Sequence, residues 1–204
     1  MPKTKSDLTP AEYAVLGLLR ERPSYGYELK DQLGAGTSLG RVSPVEPAMV
    51  YAILRSLTGF DLIDGSWDDS SYPPKAVYTV TEEGAGTFER WLRRPVARIR
   101  EVRHDFLIKL YFAMREDPKL ARELLAGQIE TVRDYIADIE AERTVLDAAP
   151  SDFDALVLES KASAAQVTLQ WLEDTARAVA SRRARRTPAP LSPRPRPRAA
   201  GARR

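Results

Sequence analysis

Arg55 is the only basic side chain between Val42 and Tyr72, and it lies in the run EPAMVYAILRSL, residues 46–57. Val50, Ile53, Leu54 and Leu57 recur there at helical spacing and form one apolar stripe. Ala48, Met49, Ala52, Arg55 and Ser56 make a second face, small and almost uncharged, and Tyr51 borders the stripe. A guanidinium on such a face can donate a forked pair of hydrogen bonds to a base edge or a phosphate, or close a surface ion pair. Tyr25 and Tyr27 bring two phenols to the start of the preceding helix, able to meet a nucleic-acid backbone or to pack into a core. Lys75 opens a strand, where its ammonium can touch phosphate or simply protect a sheet edge. With Lys30, these residues form one candidate nucleic-acid-facing set: Tyr25, Tyr27, Lys30, Ala48, Met49, Tyr51, Arg55 and Lys75.

Other chemistries find little material. There is no cysteine, so no thiolate metal site or disulfide, and His104 is the single histidine. His104 beside Asp105 could suggest a pH switch, but a structural or solvent-facing role is the better account of it. Asp68, Asp69, Glu82 and Glu83 are explained by turn chemistry and by the positive end of a helix dipole. The glycine-rich segment from Gly34 to Gly40 follows a helix rather than a strand and lacks a trailing Lys-Ser/Thr, so it reads as a loop rather than a phosphate cradle. No enzyme and no cofactor are expected. The N-terminus has no apolar signal-like core and no run is long enough to cross a bilayer, which points to a cytoplasmic protein without a membrane partner.

The net charge of +2 conceals an asymmetry. Residues 181–204 hold nine arginines and no acid, leaving 22 basic against 29 acidic groups in residues 1–180, a balance of −7. Bulk charge therefore gives the folded part no affinity for nucleic acid.

The elements that must position the candidate set can be read in order. Thr9 caps a first helix, with Pro10 at its first position and Glu12 three residues on to complete a capping box. That helix ends near Arg20. Pro23-Ser24 opens a shorter helix, capped by Ser24 and stopped at Gly34. The helix at 46–57 follows, with Gly59 as its stop. Leu62–Trp67 and Lys75–Val80 then read as two strands of a hairpin with a tip at 68–74. Thr81 caps a further helix that breaks at Pro95. Three helices with a hairpin directly after the third give the order of a winged helix-turn-helix, whose third helix enters the major groove.

Within this frame, LGLLRERPSYGYELKDQL, SPVEPAMVYAILRSL and AVYTVTEEGAGTFERWL resemble the PadR family of transcriptional regulators. The continuation through Arg103, Phe106, Leu107, Lys109 and Leu110, with Gln170-Trp171, is similar to the subfamily with a long virulence-activator-type helical C-terminal domain. The resemblance implies a recognition-helix role for the segment holding Tyr51 and Arg55. It also implies a response to a small apolar or aromatic effector, for which Trp91, Phe106, Tyr111, Phe112 and Trp171 are candidate pocket walls. The start of the recognition helix departs from the family's small polar residues: Glu46, Ala48 and Met49 stand there, and Glu46 would repel a phosphate.

In the second half, Asp117-Pro118 starts a long helix. Leu125, Ile129, Val132, Ile136, Ile139, Arg143 and Leu146 follow at alternating steps of four and three, a heptad seam with one charged member. After a break at 149–151 a second long helix carries Leu158, Ala162, Ala165, Leu169, Leu172, Ala176 and Val179. A parallel stripe beside it holds Phe153, Val157, Ala164, Val167 and Trp171. One stripe can pack inside the chain; two need a second surface, and a second copy supplies one. Leu125, Ile129, Val132, Ile136, Ile139, Leu158, Leu169, Trp171 and Leu172 are the expected dimerisation residues.

The expected organisation is a mainly α protein: a winged helix-turn-helix DNA-binding domain over 1–98, a long-helix dimerisation domain over 99–180, and a disordered Arg/Pro-rich tail over 181–204. The expected function is a homodimeric regulator, a repressor rather than an activator, on pseudo-palindromic double-stranded DNA. The competing reading is a winged-helix protein-interaction module that no longer reads sequence, which the acidic folded part and Glu46 favour.

Overall fold

The computed structural model describes residues 8–68, 75–146 and 151–185. Helix α1 (Pro10–Glu21) begins as its sequence dictates: the Thr9 hydroxyl accepts from the Glu12 N–H, and the Glu12 carboxylate accepts from the Thr9 N–H at 2.7 Å. Strand β1 (Ser24–Tyr25) and helix α2 (Gly26–Leu33) follow. Ser24 does not cap α2. It is buried and paired with Tyr78 in the sheet, and Tyr25 takes the cap position, with the Glu28 carboxylate accepting from its N–H at 3.0 Å. A strand two residues long leaves too little pattern to be read in sequence.

Helix α3 (Pro47–Gly59) runs two residues past the expected end, because Gly59 lies inside it. The stop is Asp61, at φ 58°. The Asp61 N–H donates to the Thr58 carbonyl and the Leu62 N–H to that of Leu57, both at 3.0 Å. This is the Schellman pattern, with aspartate where glycine is usual. Strands β2 (Ile63–Asp68) and β3 (Lys75–Val80) pair antiparallel from Ile63↔Val80 to Asp68↔Lys75, and β1 joins the other side of β3 to give the order β1-β3-β2. The expected tip at 68–74 lies largely outside the described residues. Thr81 accepts from the Gly84 N–H and starts α4 (Glu82–Leu92). These elements form a winged helix-turn-helix.

A 3-10 turn (Ile99–Arg103) leads to α5 (Asp105–Glu116), then to α6 (Pro118–Leu146) and α7 (Asp152–Arg185). Asp117 caps α6 by accepting from the Lys119 N–H, and Ser151 caps α7 by accepting from that of Asp154. Helix α7 continues through residues 181–185, so the first five residues of the expected disordered tail are helical; the rest lies outside the described residues.

Helix α5 joins the two halves. Its Phe112 is buried against α1 so closely that a Cβ on Gly17 would lie 2.5 Å from the ring, which is why α1 carries glycine mid-helix despite the cost there. Arg115 and Glu21, and Arg20 and Glu116, form two forked ion pairs between the same helices. One continuous core runs from Val15 and Leu54 through Phe88 and Phe106 to Leu125 and Leu172.

Within the chain, this packing takes up most of the expected dimerisation set. Leu125, Ile129, Val132, Ile139, Leu158 and Leu172 are buried within the single chain, and Ile136 and Leu169 are partly buried against the same core. The seam of α6 faces α7 and α5, because a short connection makes antiparallel neighbours pair first. Of the set, Trp171 alone is exposed, beside Phe153, Leu156 and Val167 on the outer face of α7.

Candidate nucleic-acid interface

Helix α3 turns Val50, Ile53, Leu54 and Leu57 into the core and leaves Ala48, Met49, Tyr51 and Arg55 exposed. Ala52 and Ser56 do not belong to that outer face. Both are half-buried, and the Ser56 hydroxyl donates at 2.9 Å to the Glu12 carboxylate, which is itself buried. Glu12 thus caps α1 and ties α3 to it, a link of 44 positions that spacing along the chain cannot reveal. Glu46 stands at the N-cap of α3 with no side-chain hydrogen bond to the helix, and its charge opposes an anion there.

Three further members of the candidate set gather beside this face. The rings of Tyr25 and Tyr27 stack at 5.4 Å and 16°, and the Lys75 ammonium sits 5.0 Å from the Tyr27 ring centre. Tyr51 reaches the same cluster from α3, since a Cβ on Gly26 would lie 2.9 Å from its ring. Glycine at position 26 thus leaves room for the Tyr51 ring against the start of α2. Tyr27 and Tyr51 stay about two-fifths exposed, so neither is absorbed into the core. The start of α2 thus gathers phenols from β1, α2 and α3 and the Lys75 ammonium of β3.

Lys30 lies on α2 with its ammonium 3.6 Å from the Asp31 carboxylate. Arg55 is exposed and forms no ion pair among the described residues, leaving its five N–H donors available. An indole not anticipated from sequence, Trp67, is 71% exposed on β2. Strand alternation puts it on the core-facing side with Ile63, but it lies beyond the point where the core ends, opposite Ala76.

The five candidate pocket aromatics do not share one cavity. Phe106 and Phe112 are buried, Tyr111 packs edge-on against Phe112, and Trp171 meets Phe106 edge-on. Trp91 stacks on Tyr13 at 4.3 Å and 5°. Together they face a cavity of about 550 Å³, with Arg90, Arg94, Asp105 and Lys109 on its walls. Lys109 is buried and donates to the carbonyls of Trp91 and Arg94 at 2.7 and 2.6 Å, closing the last turn of α4. Burial pushes its ammonium down to about 8, with Asp105 pulling the other way. Burial, followed by the charge of Glu101, raises the Asp105 carboxyl above its ordinary value. The sequence signal for Lys109 was a single cation inside the apolar run DFLIKLYF. Gln128 gave no such signal, yet it is buried, its amide donating to the Val96 carbonyl at 2.9 Å and its oxygen accepting from the Val96 N–H at 2.8 Å. His104 is exposed at the start of α5, on the rim of a largely apolar cavity shared with Met49 and Ile53.

Among the described residues no helix is long and apolar enough to cross a membrane, and no group of three or more histidine, cysteine or acidic residues could hold a metal ion. Comparison with known proteins places both halves. The chain is 26% identical over 172 residues to the negative transcriptional regulator PadR of Bacillus subtilis, covering 79% of this chain and 93% of that protein. Among solved structures, it is similar to Bacillus subtilis PadR in complex with operator DNA at 24% identity and TM-score 0.41, covering 82% of this chain and 98% of that one. A PadR-like regulator from Bacillus cereus matches at 20% identity and TM-score 0.37, covering 84% and 99%. The transcriptional regulator PadR-like family model matches residues 15–90, and the virulence activator alpha C-terminal model matches residues 102–180. Between them the two matches take in most of the described residues, and the chain belongs to the PadR-like family of transcriptional regulators, with a helical C-terminal domain.

Proposed function

We propose that the protein is a homodimeric repressor that occupies a pseudo-palindromic operator, with α3 in the major groove and the β2–β3 wing on the adjacent backbone. The observation that carries this reading is that Tyr51, one turn before Arg55 on α3, packs against Gly26, whose chain neighbours Tyr25 and Tyr27 stack on each other with Lys75 of β3 over the Tyr27 ring. Groove-reading helices need a donor free to fork onto a base edge, and flanking groups that hold register on the phosphates. Ala48, Met49 and Tyr51 supply apolar contact along the helix, and Lys30 adds a cation from α2. Repression is supported by the description of the Bacillus subtilis relative as a negative regulator. A small aromatic effector suits the cavity between α4 and α5, where the Tyr13–Trp91 stack lies among Arg90, Arg94 and Lys109.

The acidic balance of residues 1–180 and the position of Glu46 favour a second reading, a winged-helix protein-interaction module. The tail distinguishes them. Footprinting with the purified chain should give protected, symmetry-related half-sites, and a chain ending at Ala180 should keep that sequence preference with lower affinity. Binding that shows no preference and disappears with the nine tail arginines would instead establish the second reading.

A further inference from the structure

The outer face of α7 carries Phe153, Val157, Ser160, Ala164, Val167 and Trp171 at steps of four and three. Along it, size runs from large through medium to small and back again. Phe153 is 72% and Val167 66% exposed, although neither side chain gains from water. At the Trp171 end this face opens into an apolar cavity of about 320 Å³ between Val102, Leu107, Val167 and Trp171, with Arg103 at its rim. Phe153 lies 18 residues away, about 27 Å along the helix, and cannot reach the cavity of its own chain.

We propose that α7 pairs antiparallel with α7 of a second copy, about a twofold axis level with residue 162, so that each cavity receives the partner subunit's Phe153. This rests on the dimer in the function proposed above and specifies its geometry. About that axis Phe153 meets the partner's Trp171, Val157 the partner's Val167, and Ser160 the partner's Ala164. The two small residues let the helices approach most closely at the centre. Leu156, itself 68% exposed, comes opposite the partner's Thr168, another cavity residue. Charge agrees: Asp152 and Asp154 flank Phe153, and antiparallel pairing brings them to the partner's Arg103, which is exposed and without an ion pair among the described residues. A parallel pair would set these acids against their own copies. It would also place the two winged units side by side, because the Trp171 end of α7 lies at the junction with them, where Phe106 meets Trp171 at 6.4 Å. Antiparallel pairing separates the two junctions by about 27 Å along the seam, as two readers on successive major-groove turns about 34 Å apart require.

The chain has no cysteine, so one introduced thiol carries one spin label. Ser163→Cys, Gln170→Cys and Ala178→Cys, all at exposed positions of α7, would be labelled in the full chain without DNA. The expected dipolar distances grow along the series, from axial offsets of about 3, 24 and 48 Å between symmetry mates. Equal distances at the three sites would mean a parallel pair, and a series centred elsewhere would mean another register; either overturns the proposal while leaving the dimer. A monomer mass by light scattering at micromolar concentration overturns the dimer as well. Phe153→Asp should weaken self-association at least tenfold with an unchanged helical circular dichroism signal, and undiminished association would overturn the proposal.

Discussion

Gln128→Leu tests how the winged unit is held to the long helices. The Gln128 side chain is buried, and its amide closes a two-way bond with the backbone of Val96, in the segment that joins α4 to the helical half. Leucine has similar volume, so packing changes little and the loss is polar. The Val96 N–H and C=O would be left unpaired in a place shielded from water, at about 1–3 kcal/mol each. Removing a buried amide returns part of its own desolvation, so the net loss should be about 2–4 kcal/mol. In a chain of this size that lowers the melting temperature by roughly 5–15 °C. Urea unfolding followed by circular dichroism measures it directly. A loss below about 1 kcal/mol would refute the reasoning, since it would mean that Val96 finds other partners. Gln128→Glu sharpens the test: its carboxylate still accepts from the Val96 N–H but faces the Val96 carbonyl without a proton, so it should be at least as destabilising at pH 7.

Arg55→Ala should weaken operator binding by about 1–3 kcal/mol and relax preference at one base position, measured by titration against single-base operator variants; unchanged affinity removes Arg55 from the interface. Asp61→Gly should raise stability by about 0.5–1 kcal/mol, because glycine adopts the positive φ at the end of α3 more readily; a lower melting temperature would show that the aspartate side chain has a role there. Lys109 titrates near 8 in the fold against about 10.5 unfolded, so between these values the unfolded chain binds more protons and stability rises with pH. The gain should be on the order of 2 kcal/mol after screening, fully present only above that window and lost as pH falls through 8. Lys109→Met should flatten the slope in denaturant titrations from pH 7.5 to 10, and a slope that survives would assign it to another group.

Local rules placed most of the helices. Caps at Thr9, Thr81 and Asp117 act through bonds spanning two or three residues, so the chain by itself settles where those helices begin. The same holds for the apolar stripe of α3 and for the β2–β3 pair, whose periods are properties of backbone geometry. The family resemblance carried by the second helix, the third helix and the wing was also legible before any coordinates. What the tertiary structure decided were relations between distant residues. Whether a heptad stripe faces its own chain or another depends on which helix arrives first, and in α6 the neighbour across a short connection takes Leu125 and Val132 into the core. That Ser56 turns inward to Glu12, that Tyr51 rests on Gly26 beside the Tyr25–Tyr27 pair, and that Gln128 and Lys109 anchor the segment after α4 all depend on contacts between residues far apart in the chain. Spacing along the chain shows which face of a helix is apolar; only packing determines what that face meets, because burial depends on elements whose positions are fixed by the whole fold.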